Sequence, residues 1–160
     1  MHNLDAIDYQ LIGLLQENAR STIKQLAEKV FMSPPAVAAR LARLEKDGVI
    51  LGYQPMLNPL VFDYNILAFI SLQVQPSDKP QFYPYIDSVP NVLECNCVTG
   101  DYSMLVKACF HNTMELDAFI GELQRFGKTY TQIVFSTPVN VRWPQVGTGA
   151  ARAAKRDTEP

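Results

Sequence analysis

The sequence predicts an α+β protein: an N-terminal winged helix-turn-helix followed by a C-terminal ferredoxin-like βαββαβ unit. Three observations predict it. Ser21 to Gly48 holds two short amphipathic segments separated by a three-residue break. Asn58-Pro59 interrupts the helical pattern, and from Ile66 onward the order becomes strand, helix, strand, strand, helix, strand, the split βαβ plan. With 160 residues and 48% hydrophobic content the chain can bury two small cores. The expected division is residues 1–57, a linker over 58–65, an αβ unit over 66–145 and a disordered tail over 146–160 that carries almost no large apolar residue.

The first helix starts near Leu4. Asp5 suits the cap, Asp8 favours the positive helix end, and Ile7, Leu11, Leu14 and Leu15 form a core face. A second helix begins at Ser21 or Thr22 and buries Ile23, Leu26, Ala27 and Val30. The third opens at Ser33-Pro34-Pro35, a hydroxyl able to cap free amides followed by a proline whose φ suits the first helical position. It ends at Asp47-Gly48, and Val49 to Leu57 follows as a short extended wing.

In the second unit, Ile66–Val74 is a strand and residues 78–88 a helix that Pro84 should shorten or kink. Val92–Thr99 and Tyr102–Phe110 form a hairpin about Gly100-Asp101. Asn112 with Glu115 resembles a capping box, and it opens a helix carrying Met114, Leu116, Phe119, Ile120 and Leu123 on or near one side. Tyr130–Val141 is the last strand.

On the third helix, Val37, Leu41 and Leu44 fall at i, i+4, i+7 and predict a core stripe. Ala36, Ala39, Arg40 and Arg43 are expected on the opposite side, small and cationic as a DNA major groove requires. Ser33, Pro35, Lys24 and Lys46 complete the candidate contacts to double-stranded DNA. The net charge of −2 does not argue against this reading. Screening over about 8–10 Å leaves a phosphate sensing mainly the nearest face of the protein. Within residues 1–50, however, Arg20, Lys24, Lys29, Arg40, Arg43 and Lys46 are balanced by Asp5, Asp8, Glu17, Glu28, Glu45 and Asp47. A single unit should therefore bind weakly, and repetition in an oligomer is implied.

Cys95, Cys97, Cys109 and His111 raise a metal site, which the hairpin register tests. If Gly100 and Asp101 are the turn, Cys95 faces Val106, Cys97 faces Met104, Glu94 faces Lys107 as an ion pair, and Cys109 lies opposite Val92. Alternation then puts Cys109 on the other face from Cys95 and Cys97, so no metal is expected. No nucleophile-plus-base pair, phosphate loop or paired-carboxylate motif occurs, and no catalytic residue or cofactor is assigned. An odd count of three cysteines argues against a secreted disulfide framework. No signal peptide precedes Leu4 and no apolar run approaches about 20 residues, so a cytoplasmic, nucleoid-associated protein without membrane contact is expected.

Several motifs together resemble the Lrp/AsnC, or feast/famine, transcriptional regulators over residues 3–143. They are Leu4-Asp5 with Asp8, Asn18-Ala19-Arg20, Leu26-Ala27, Ser33-Pro34, Arg40-Leu41, Leu44-Glu45, Gly48-Val49-Ile50 and Val98-Thr99-Gly100-Asp101-Tyr102. The resemblance implies a DNA-binding homodimer, often assembled into tetramers or octamers. Its second unit would be an effector (RAM) domain that binds a small amino acid at the dimer interface. Carried onto this chain, the effector residues are Thr99, Gly100, Asp101, Tyr102 and Ser103, completed across the dimer by Thr129 and Thr131. Two positions depart from the family pattern. Phe31 stands in the break where many members have glycine; a positive φ would strain it, so the turn is expected to be built differently. Ser103 stands where many members carry an aspartate, which removes an acceptor for a ligand amine.

Gly100-Asp101 also suits a plain hairpin turn, and Arg40 and Arg43 also suit a solvated helix surface. The enzymatic alternative is an AsnC-like tetrapyrrole decarboxylase, which needs basic and histidine side chains around an acidic macrocycle. This chain has only His2 and His111, and Leu51-Gly52-Tyr53-Gln54 carries no charge. An effector-independent DNA-organising protein and an amino-acid sensor with a vestigial DNA domain are the remaining alternatives.

Overall fold

The computed structural model describes residues 3–146. The chain divides into two compact units, residues 1–55 with residues from Val141, and Met56–Asn140.

The first unit packs three helices, α1 (Ala6–Glu17), α2 (Ile23–Val30) and α3 (Pro34–Lys46). Both α1 and α2 begin in reciprocal capping boxes, Asp5 with Asp8 and Thr22 with Gln25, each satisfying two amides that a helix start leaves free. Leu11, Leu26, Ala27, Val30, Val37, Leu41 and Leu44 form the core, with Ile7, Leu14 and Leu15 partly buried against it, whereas Ile23, expected among them, is exposed. Ser33 occupies the N-cap of α3 but makes no side-chain cap bond. Pro34 and Pro35 have no N–H to offer, and the hydroxyl does not take up the one amide left within its reach, that of Ala36.

The ends of α2 and α3 use one device. After α3 the Gly48 N–H reaches the Glu45 carbonyl and the Val49 N–H the Leu44 carbonyl, with Gly48 at φ 69°. After α2 the Met32 N–H returns to the Ala27 carbonyl in the same way, with Phe31 at φ 55°, ψ 44°. The turn is thus not built differently: a phenylalanine takes the left-handed position at a cost of about 1–2 kcal/mol.

The wing expected over Val49–Leu57 is not a strand among the described residues. No neighbouring strand offers it a ladder; instead the Tyr53 hydroxyl donates to Glu45 Oε1 at 2.9 Å. Residues 144–146 lie along α1, where Gln16 donates to the Pro144 carbonyl (3.1 Å) and accepts from the Val146 N–H (2.9 Å). The rest of the predicted tail, from Gly147, lies outside the described residues.

The second unit holds β1 (Ile66–Leu72), α4 (Lys79–Ser88), β2 (Val92–Cys97), β3 (Met104–Phe110), α5 (Thr113–Gln124) and β4 (Thr129–Ile133), with a 3-10 turn over Pro59–Phe62 before them. The sheet order β2-β3-β1-β4, with every adjacent pair antiparallel, is the ferredoxin-like plan. The residues expected as a linker join this unit: Tyr64 stacks on His111 at 4.3 Å between ring centroids, and His111 Nδ1 lies 3.0 Å from the Asp63 carbonyl oxygen. Pro84 is accommodated within the ten residues of α4, which buries Phe82 and Ile86. On α5, Leu116, Phe119 and Leu123 are buried, whereas Met114 is exposed and does not belong to the core face.

The predicted register holds for Cys95–Val106, Cys97–Met104 and Glu94–Lys107. It slips between Val92 and Glu94, where a bulge pairs Val92 with Ala108 rather than with Cys109. The expected Glu94–Lys107 ion pair is not formed: Glu94 accepts from Asn96, and the Lys107 ammonium lies over the Phe69 ring. The last strand stops at Ile133 rather than Val141. Ile133 already faces Ala68, so β1 has almost no residues left to pair with.

Candidate functional site

The outward face of α3 follows from its core. At 3.6 residues per turn, Pro35, Ala39, Ala42 and Lys46 fall within about 60° of one another and opposite Val37, Leu41 and Leu44. All four are exposed. Ala36 and Arg40 are half-buried, and with Arg43 they lie on a flank. The face expected at Ala36, Ala39, Arg40 and Arg43 is therefore rotated: Ala39 belongs to it, and Ala42 was missed although its spacing from Pro35 and Lys46 marks it.

The arginines are engaged within the unit. Arg40 Nη1 donates to Asp5 Oδ2 at 2.6 Å and to Asp8 Oδ1 at 2.8 Å, while Arg43 Nη2 donates to Asp8 Oδ2 at 2.5 Å. Asp8 is fully buried, and the arginine side chains are 26% and 44% exposed. Sequence reasoning treated Arg40 and Arg43 as free cations because it assigned Asp5 and Asp8 only to the helix cap. In the fold one carboxylate pair both caps α1 and binds α3. Burial pushes the Asp8 carboxyl up, but the Asp5 N–H and the Arg43 and Arg40 guanidinia outweigh it and hold it below the ordinary range. The Asp8 N–H and then Arg40 lower Asp5 likewise. Of the remaining cations, Lys24 and Lys46 are exposed and form no ion pair among the described residues. Ser33 is exposed with its hydroxyl uncommitted.

In the second unit the loop over residues 98–103 stands at the end of the sheet where Leu72 pairs with both Met104 and Thr129. This brings Tyr102 near Tyr130, 6.3 Å between ring centroids. Gly100 has φ 110°, open to glycine and strained for other residues. Thr99, Gly100 and Asp101 are exposed, and the N–H groups of Gly100 and Asp101 make no hydrogen bond among the described residues. Ser103 is not a free ligand contact: its hydroxyl accepts from the Val74 N–H at 2.9 Å and donates to the Val74 carbonyl at 3.0 Å. An ionised aspartate could accept there but not donate. Thr129 and Thr131 are half-buried on β4, beside Leu72 and Ile70. Cys95 and Cys97 share one face and Cys109 takes the other, which separates it from the first two.

Comparison with known proteins decides the family. Residues 4–50 match the winged helix-turn-helix DNA-binding family and residues 67–144 the Lrp/AsnC ligand binding domain. The chain belongs to the Lrp/AsnC family of transcriptional regulators. It is 33% identical over 121 residues to the leucine-responsive regulatory protein of Haemophilus influenzae, covering 74% of this chain and 73% of that protein. An HTH-type transcriptional regulator of Pyrococcus furiosus is 31% identical over 134 residues, 82% of this chain and 89% of that one. Among solved structures, a Neisseria meningitidis transcriptional regulator in complex with L-methionine superposes with TM-score 0.82 at 26% identity, covering 89% and 97% of the two chains. The Mycobacterium tuberculosis feast or famine regulatory protein complexed with L-methionine gives 0.80 at 27%, covering 89% and 99%. This Lrp/AsnC chain has no helix among its described residues long and apolar enough to cross a membrane.

The ion cluster sets a pH dependence. Both carboxyls are held below the unfolded value of about 3.9, so their stabilisation is complete above about pH 5 and is lost as pH falls through the depressed values. Acid unfolding of the first unit, followed by circular dichroism between pH 5 and 2, should show this loss, and Asp8→Asn should flatten it. At pH 7 the same substitution should cost about 2–3 kcal/mol, less than a fully buried pair because Arg43 is half exposed.

Proposed function

We propose that this regulator reads double-stranded DNA with the exposed stripe Pro35, Ala39, Ala42 and Lys46 of α3. That stripe is the observation that carries the reading. Small side chains let the helix backbone approach base edges, and the stripe lies opposite a fully formed core. Lys24, Lys46 and the Ser33 hydroxyl take phosphates, joined by the N–H groups that Arg43 does not spend on Asp8; Arg40 and Ala36 support the helix from its flank. Such contacts are few, so useful affinity comes from repetition of the unit. A dimer is supported by the sheet of the second unit. The core residues of β1 and β3 face α4 and α5, while Leu67, Phe69 and Leu105 point the other way and remain only partly covered. Assembly into tetramers or octamers belongs to the same proposal, as does a cytoplasmic, nucleoid-associated location.

The effector of this reading is a small amino acid whose α-carboxylate is held by the free amides of Gly100 and Asp101. L-Methionine in two similar structures supports that class. Thr99 and Tyr102 flank the amides, and Thr129 and Thr131 complete the site from a second subunit. Ser103 shapes the loop rather than binding. The protein acts as a regulator without a cofactor and not as an enzyme.

Ala39→Glu places a carboxylate on the groove face and should abolish binding to DNA selected from a random-sequence pool, while Lys46→Ala should weaken it about two- to tenfold and lower the salt slope by about 0.9. Neither should change the melting temperature; early melting or unchanged binding contradicts the face. Calorimetric titration with amino acids, methionine first, should give heat with the wild type and none with Gly100→Val, whose DNA binding persists without response. An absence of heat for every amino acid, with DNA affinity indifferent to all of them, contradicts the effector site.

A further inference from the structure

Phe31 combines two features that the fold of the first unit does not use. It holds a left-handed conformation, φ 55° and ψ 44°, in the very position where the end of α3 employs Gly48. Its side chain is 95% exposed, so the ring gives nothing to the core. A glycine would close the same turn without strain and without exposing an aromatic surface. A strained and unburied aromatic ring marks a residue that acts on something outside the subunit.

We propose that Phe31 is a DNA-reading residue whose ring packs against a thymine methyl group at the edge of the major groove. This deepens the assignment of α3 to the groove and rests on it. Phe31 stands two residues before Ser33, the N-cap of α3, and two residues of chain span at most about 7 Å. When the N-terminal end of a recognition helix enters the groove, the turn leading into it is carried to the groove edge. There the only apolar group that a base offers is the thymine methyl, and phenylalanine is one of the side chains that reads it.

A protein partner suits the surroundings less well. Of the exposed residues within three positions, Glu28, Lys29 and Ser33 are polar or charged and Pro34 alone is apolar, whereas the buried centre of a protein interface is depleted of charge. Lys24 and Lys29 on the preceding helix suit a polyanion. The ring then adds a larger apolar contact than the methyl groups of the alanine stripe can make.

The test uses the full-length protein and a duplex enriched from a random-sequence pool by the wild type. Affinities of wild type and Phe31→Gly are measured by fluorescence anisotropy on that duplex and on versions in which each thymine in turn is replaced by deoxyuridine, which removes only the methyl. Phe31→Gly should melt at or above the wild-type temperature and bind the parent duplex more weakly. One thymine replacement should weaken the wild type about fourfold, the worth of one buried methyl, and leave Phe31→Gly unaffected. Equal affinity of the two proteins, or the same replacement profile for both, overturns the proposal while leaving α3 as the groove helix. Sedimentation that shows Phe31→Gly in a smaller assembly, with affinity lost in proportion, assigns the ring to a protein interface and also overturns it. Failure of the wild type to enrich any duplex overturns the groove assignment and this inference together.

Discussion

The buried Asp8 carboxylate, held between Arg40 and Arg43, is the constraint on which the DNA-reading end of the molecule depends. A carboxylate without water is tolerated only when its oxygens are matched by donors, and here they are matched from two directions. The Asp5 N–H binds it from the start of α1, and two guanidinia bind it from α3. The apolar core alone leaves α3 some freedom to slide and rotate, since hydrophobic contacts are non-directional. The ion cluster removes that freedom: Arg40 and Arg43 lie one turn apart on one flank, and both must reach the cap of α1. Val37, Leu41 and Leu44 set which face of α3 turns outward, and the polar contact holds the helix in that setting.

This arrangement accounts for the even charge balance of the first 50 residues. Two of the six cations are spent on two of the six acids inside the unit, and the outward stripe of α3 is nearly neutral. If this stripe is the reading face, as proposed, it gains little from non-specific attraction to phosphate, and shape and apolar contact carry a larger share of recognition. The proposed dimer, built on the partly covered apolar face of the second unit, would supply the multiplicity that so few charges call for. The two ends of the mechanism are physically alike. Each leaves small or flexible backbone exposed, alanines on α3 and Gly100 on the hairpin loop, as the proposed contacts to bases and to a carboxylate require.

Much of this was legible in the sequence because it depends on periodicity and local chemistry. Most of the three core stripes of the helices, the starts of α1 and α2 and most of the hairpin register follow from spacing and local chemistry, although Ile23 of the α2 stripe is exposed. What was not legible depends on partners far apart in the chain. Asp5 and Asp8 serve α1 in sequence and α3 in space, a separation of more than thirty residues that no window reveals. The double proline marks the start of α3 in sequence, but that the Ser33 hydroxyl makes no cap bond is visible only in the fold. The bulge at Leu93 has no glycine to announce it, and the short β4 is cut by where β1 begins rather than by its own residues. Ser103 reads as a missing ligand in sequence, but in the fold it is a clamp on Val74 that an ionised aspartate could not make in the same form.

A double-mutant cycle between Asp8 and Arg43 tests the central claim most directly. Asp8→Ala, Arg43→Ala and the double variant are compared by native-state hydrogen exchange at the α1 and α3 amides, which reads the first unit separately from the second. If the cluster fixes α3, the two losses are strongly coupled and the double variant is less destabilised than the sum of the singles by about 1–3 kcal/mol. Losses that simply add, or an Arg43→Ala protein as well protected as the wild type, would contradict the account.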